Sequence, residues 1–123
     1  MHSYYFEKLE VWQNARLLVK EIYQITSTFP TEEKFGITSQ IRRASMSIAA
    51  NIAEGFSRNT EKDKARFLNH SYSSACETIN FLILANDLGF ISESKLLELR
   101  LKTEKITNQL NALHKTICKK IAD

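Results

Sequence analysis

His70 stands four residues after Arg66. On a helix that spacing sets a proton carrier beside a guanidinium, the pair a helical ribonuclease would need to move a proton and steady a phosphate. Their face also carries Glu77, however, and reads as a solvated outer surface. A di-metal bundle requires Glu-x-x-His pairs, so that several carboxylates and imidazoles meet at one depth. Neither that motif nor His-Glu-x-x-His occurs, and His2, His70 and His114 are scattered along the chain. No metal or cofactor is expected. Glycine-rich phosphate loops and the G-x-S-x-G elbow are also missing. Ser45, Ser47, Ser73 and Ser74 have no base-and-orienter arrangement around them and read as small packing residues. No catalytic residue is predicted, and the chain reads as a non-enzyme.

The polar feature left over is basic: Arg42, Arg43, Arg58, Lys62, Lys64 and Arg66, interrupted by Glu54, Glu61 and Asp63. The local positive excess is one that an RNA or DNA backbone can use, more so if copies of the chain repeat it around a ring. Solvation and ion pairing within the helices explain the same residues without a partner. Tyr4, Tyr5 and Phe6 add aromatic surface near the start, available for stacking or for packing on the first helix.

Four amphipathic helices must position these groups. From Leu9 to Phe29, Val11, Trp12, Ala15, Leu18, Val19 and Ile22 share a face, and Pro30 ends the run. Trp12 is expected to be largely buried. A second helix spans about 36–54 with Ile37, Ile41, Ala44, Ile48 and Ile52 inward; Gly55 is expected to stop it in the left-handed conformation. Thr60 with Asp63 caps a third helix that ends before Gly89, with Asp87-Leu88-Gly89-Phe90 as its stop; its inner face is read as Leu68, Ser71, Tyr72, Ala75, Ile79, Leu82 and Asn86. Ser92 caps a fourth, where Leu99, Thr103, Ile106, Leu110, Leu113 and Ile117 repeat at 4-3-4-3-4 spacing. Only this last helix reads as a regular seam. Short connections favour an all-α, antiparallel up-down-up-down four-helix bundle over residues 1–123, one domain with no room for a second.

Two features point outward. Opposite the isoleucine stripe of the second helix lie Met46, Ala49, Ala50 and Ala53, and near the end of the third lie Phe81, Leu84 and Leu88. A helix in a four-helix monomer normally buries one side, so these residues are candidates for an interface between copies of the chain. Alanines tolerate water and favour helix, which is the bland alternative.

Composition agrees with helices: three glycines and one proline are too few for a turn-rich β fold. The formal charge of +3 suits an anionic partner but falls short of a packaging protein. No apolar run approaches the length of a membrane span, and Met1 to Lys8 lacks a secretory pattern, so a cytoplasmic place is expected. Cys76 and Cys118, without C-x-x-C spacing, are expected to be reduced and buried.

Phe6-Glu7-Lys8-Leu9-Glu10-Val11-Trp12-Gln13 with Ala15, and Phe29-Pro30 with Glu33 and Phe35-Gly36, open a pattern that covers nearly the whole chain. It continues through Gln40-Ile41-Arg42-Arg43-Ala44, Ser47-Ile48, Asn51-Ile52-Ala53-Glu54-Gly55, Arg58, Phe67-Leu68, Ser74, Glu77, Leu84-Ala85 and Leu88-Gly89. In this order the residues resemble the bacterial four-helix-bundle family first recognised as proteins encoded by intervening sequences within 23S ribosomal RNA genes. Ser45 and Ala49 depart from the alanine and proline that family often carries there. The resemblance implies a ring-like homopentamer of four-helix monomers with no assigned enzymatic activity. A structurally similar group, the accessory variability determinant of diversity-generating retroelements, supports a reverse transcriptase and interacts with nucleic acid. The expected function is therefore a noncatalytic oligomeric scaffold that binds RNA or DNA through Arg42, Arg43, Arg58, Lys62, Lys64 and Arg66. The alternative is a protein–protein assembly module with no nucleic-acid role.

Overall fold

The computed structural model describes residues 1–122, of which most lie in four helices: α1 (Glu10–Thr26), α2 (Ile37–Gly55), α3 (Glu61–Asp87) and α4 (Glu93–Ala122). Single 3-10 turns at Tyr5–Lys8 and Thr31–Glu33 precede α1 and α2. Two of the expected caps form, satisfying amides that the first helical turn leaves without partners. The Thr60 hydroxyl accepts from the Asp63 amide at 3.1 Å, and that of Ser92 accepts from the Lys95 amide at 3.1 Å.

The helices pack in order around a square: α1 on α2, α2 on α3, α3 on α4, and α4 back on α1. Cross-contacts fix the antiparallel sense. Arg42 reaches Thr26 while Tyr5 meets Phe56; Arg43 reaches Glu77 while the Ser71 hydroxyl donates to Ile48; Asn14 pairs with Gln109 while Glu21 pairs with Lys102.

The buried positions follow a seven-residue repeat in more than the last helix. In α3 Leu68, Ser71, Ala75, Thr78, Leu82 and Ala85 keep it, with Ala65 buried outside it; in α2 Thr38, Ile41, Ser45, Ile48, Ile52 and Gly55 keep it, with Ala44 buried beside them. Of the inner face expected for α3, Leu68, Ser71, Ala75 and Leu82 are buried, while the inward-facing Thr78 is missing from it. Tyr72, Ile79 and Asn86, expected with them, each fall one residue after the buried Ser71, Thr78 and Ala85 and are only half-buried. A straight helix drifts about 20° per heptad against a 3.5-residue seam. The same geometry lets neighbouring helices interlock along their length at about 20°.

Other expectations need correction. Gly55 does not take the left-handed conformation; it lies in the last turn of α2, where a methyl group would come within 3.1 Å of Phe67 Cβ and 3.4 Å of the Lys64 carbonyl. Its role is close approach of α2 to α3. The left-handed glycine is Gly89, with φ of 80°, where the Phe90 amide donates to Ala85 at 2.8 Å and the Gly89 amide to Asn86 at 2.9 Å. These two bonds satisfy carbonyls at the end of α3 and turn the chain into α4. Trp12 is half-buried rather than largely buried: it packs on the margin of the core and lies edge-on to Phe6 of the first 3-10 turn, ring centres 5.0 Å apart. Cys76 and Cys118 are both exposed, since each falls on the outer side of its heptad.

Candidate nucleic-acid interface and assembly faces

The six basic residues are contiguous in sequence but divided in space. Arg42 and Arg43 lie in the upper part of α2, while Arg58 and the three α3 cations sit at its lower end. From Arg43 to Gly55 alone the helix rises about 18 Å at 1.5 Å per residue.

Arg42 is a strut. Its Nε donates to the Thr26 hydroxyl at 2.8 Å, and its guanidinium lies 4.4 Å from the centre of the Tyr23 ring. The Thr26 hydroxyl in turn donates to the Ile22 carbonyl at 2.6 Å, so the contact ties α2 to the end of α1. Arg43 crosses to Glu77 on α3 at 2.9 Å. Both arginines hold helices together.

At the lower end the pairing is looser. Arg58 lies 3.7 Å from Glu54, Lys64 3.4 Å from Glu61, and Arg66 3.4 Å from Asp63. Exposed pairs one turn apart are worth little, and a phosphate can compete for their cations. Lys62 makes no ion pair among the described residues. Arg58 and Arg66 each stand 4.6 Å from the centre of the Phe67 ring, which leaves an aromatic side chain bracketed by two guanidinium groups.

Folding brings further cations to this end. Ile117, buried at 4% exposure, packs the last turns of α4 into the same core as the start of α3, so Lys115, Lys119 and Lys120 project from the same end of the bundle as Lys62 and Arg66. Sequence reasoning missed these lysines because more than fifty residues separate them from the α2–α3 turn; the antiparallel return of α4 was the available signal. Glu7 and Glu10, at the start of the chain, temper the positive field there.

Other polar groups have structural partners. The Ser74 hydroxyl donates to that of Ser47 at 2.8 Å, and Asn51 donates to the same Ser47 oxygen at 3.0 Å. His70 is exposed against the edge of Phe67, with ring centres 5.9 Å apart, rather than paired with Arg66. Among the described residues no group of His, Cys, Asp and Glu is placed to hold a metal ion, and no helix is long and apolar enough to cross a membrane. Perturbed titrations occur elsewhere, on the α4 surface. A hydrogen bond to Glu21 holds Lys102 above its ordinary value, and one from Lys95 holds Glu98 below its own.

The assembly candidates divide as well. On α2, Met46 is 44% exposed and Ala50 is open, whereas Ala49 and Ala53 are half-covered. The chain's own first turn supplies part of that cover: Tyr4 and Phe6 form a shallow groove with Ala50 and Ala53. On α3, Leu84 and Leu88 are exposed at 41% and 59%, while Phe81 packs on the core. Phe35, in the connection before α2, is exposed at the same end of the bundle as Leu88.

No curated protein matches the chain. A solved structure described as a protein of unknown function from the S23 ribosomal protein family of Bacteroides thetaiotaomicron shares the fold. It has a TM-score of 0.80 at 24% identity, over 85% of this chain and 95% of that one. Residues 7–112 match the family model described as 23S rRNA-intervening sequence protein. With that match running through all four helices, the chain belongs to the 23S rRNA-intervening sequence protein family.

Proposed function

We propose that the chain is a noncatalytic cytoplasmic scaffold, one domain per copy, that acts by assembling with itself. The observation that carries this reading is apolar surface left over after the core has closed: Met46 and Ala50 on α2, and Leu84 and Leu88 on α3. Exposed apolar groups on these elements gain about 25 cal/mol per Å² when covered. Five copies is the number the family resemblance implies. Light scattering after size exclusion should give a species several times 14.2 kDa. Met46→Asp with Leu88→Asp should shift it toward the monomer without loss of helix by circular dichroism. A dilution-independent monomer of the unaltered chain sinks the proposal.

A specific observation favours RNA or DNA as partner of the assembled scaffold. Arg58, Phe67 and Arg66 offer stacking and charge at one place, and Lys62, Lys64, Lys115, Lys119 and Lys120 surround it. Each subunit's excess is modest, so affinity would come from repetition around the oligomer. The test is fluorescence anisotropy with labelled single-stranded RNA at rising salt. Arg58→Ala with Arg66→Ala should weaken binding and flatten its salt dependence, with the oligomer intact. Purification from its own cells with nuclease controls separates this from the protein-module alternative, in which one protein partner is recovered and nuclease makes no difference.

A further inference from the structure

Along its outer side the α2–α3 contact opens into a groove of about 490 Å³, lined by Ser47 and Asn51 of α2 and by His70, Ser73, Ser74 and Glu77 of α3. Each of these side chains carries a hydrogen-bonding group, so the groove has no apolar floor on which a partner helix could be buried. The Asn51 amide nitrogen is engaged by Ser47, 2.8 Å from its carbonyl and 3.0 Å from its hydroxyl. Asn51 Oδ1 and the Ser73 hydroxyl take no protein partner among the described residues.

The two ends of the groove differ. At the upper end Arg43 crosses to Glu77 at 2.9 Å and pairs that carboxylate with a cation. At the lower end Phe67 stands between the guanidinium groups of Arg58 and Arg66, each 4.6 Å from its ring centre, and its ring centre lies 5.9 Å from that of His70. Glu54 and Asp63 sit beside these arginines at 3.7 and 3.4 Å and are the carboxylates that a phosphate would displace. From Phe67 to Glu77, α3 rises about 15 Å. Cations and ring faces therefore lead into a trough of hydroxyl, amide and imidazole groups. The first set suits phosphates and stacked bases, and the second suits base edges.

We infer that this groove takes unpaired bases of a single-stranded nucleic acid, whose phosphates lie on Arg58 and Arg66 while a base enters between His70 and Asn51. This rests on the nucleic-acid reading above and adds which form of nucleic acid is held and by which groups. His70 supplies a ring face for stacking, and Asn51 Oδ1 with the serine hydroxyls supplies acceptors and donors to a base edge. A duplex keeps its base faces stacked and its pairing edges occupied, so it can use the arginines alone.

The experiment is fluorescence anisotropy on the full chain with labelled single strands of RNA and of DNA, each compared with the same sequence closed into a hairpin. At least one single strand should bind about tenfold more tightly than its hairpin. His70→Ala and Ser73→Leu alter exposed sites, the first removing a ring and the second filling the groove, and neither removes a lysine or arginine. Each should weaken single-strand binding about fivefold or more, within what one stacked base contributes, and leave the salt dependence unchanged. Arg58→Ala with Arg66→Ala should lower the salt dependence instead, because counterions are released by phosphate contacts and not by base contacts. Equal affinity for strand and hairpin, indifference to either groove substitution, or a loss that flattens the salt dependence would overturn the groove and leave the basic surface standing. Absence of binding to every probe would overturn both.

Discussion

Where α2 meets α3, the facing residues are small: Ser45 and Gly55 on one helix, Ser71 and Ala75 on the other, with Ser71 donating to the Ile48 carbonyl at 2.8 Å. Where α1 meets α4, long polar side chains reach across: Asn14 to Gln109, Glu21 to Lys102, and Glu10 to Lys105 at 3.7 Å. The first seam is close along its buried side, with a shallow polar groove of about 490 Å³ on its outer side between Ser47 and Asn51 of α2 and Ser74 and Glu77 of α3. The second leaves an open groove of about 430 Å³, floored by Leu18 and edged by Leu17, Lys20 and Lys105. Both belong to one bundle, so the contrast teaches what side-chain length does at a helix contact. Small residues let backbones approach and exclude water, while long charged ones hold helices apart with interactions that water weakens. Stability should therefore concentrate at α2–α3.

The strongest way to break this contrast is to remove core volume on its tight side. Ile48→Ala, at a position with no exposure, should cost about 2–5 kcal/mol in urea denaturation. Leu101→Ala on the exposed side of α4 should cost less than about 0.5 kcal/mol. Comparable losses at the two sites would abolish the distinction.

Trp12→Ala probes intermediate ground beside α1. A fully packed tryptophan would cost about 3–5 kcal/mol, but half-burial against Phe6 brings the expectation to about 2 kcal/mol. Its fluorescence should move to longer wavelength on unfolding; an unchanged spectrum would place the ring in water already.

Gly55→Ala sharpens the comparison through its sign. At an exposed helical site the change stabilises, because glycine gives up more backbone freedom on folding. Here the new methyl would meet Phe67 Cβ at 3.1 Å, and neither that atom nor the Lys64 carbonyl can move without shifting α3. A destabilisation of about 1 kcal/mol is expected in the same urea assay. A gain in stability would show that the helices have slack.

Lys102→Gln should have the smallest effect, at most about 0.5 kcal/mol in low salt and less in high salt, because the ammonium is well exposed. The folded value of Lys102 is raised, so its contribution is present below the ordinary lysine range and is lost as pH climbs through the raised value. Unaltered and substituted proteins should converge in stability at strongly alkaline pH. A larger loss, insensitive to salt, would mean that the α1–α4 seam is not the solvated contact described above.

Legibility in the sequence followed how local the signal was. The caps at Thr60 and Ser92 were readable because a hydroxyl and an amide three residues on meet within one turn. The α4 seam was readable because four of its inner residues are leucine or isoleucine. The α3 seam was readable in part: Leu68, Ser71, Ala75 and Leu82 are buried as expected, while Thr78, which hydrophobicity scores as wet, and Ala85 were missed in favour of the half-buried Ile79 and Asn86. Gly55 was misread because helix stops and close helix contacts use glycine for the same missing side chain. Of the candidate basic surface, the residue types were visible but their availability was not: Arg42 and Arg43 were engaged by Thr26 and Glu77, partners sixteen and thirty-four residues away.

The chain by itself determined four helices, their order and two of their caps, because periodicity, proline placement and capping are properties of neighbouring residues. Short connections between those helices made the antiparallel bundle the economical arrangement. Tertiary structure decided what depends on distant contacts: that Gly55 serves close helix approach, which cations brace helices, and which apolar groups remain uncovered. It also set the lysines of α4 at the same end as those of α3 and brought Asn51 and His70 to one groove. These outcomes required the register between helices, a property of packed pairs that a single helix does not contain.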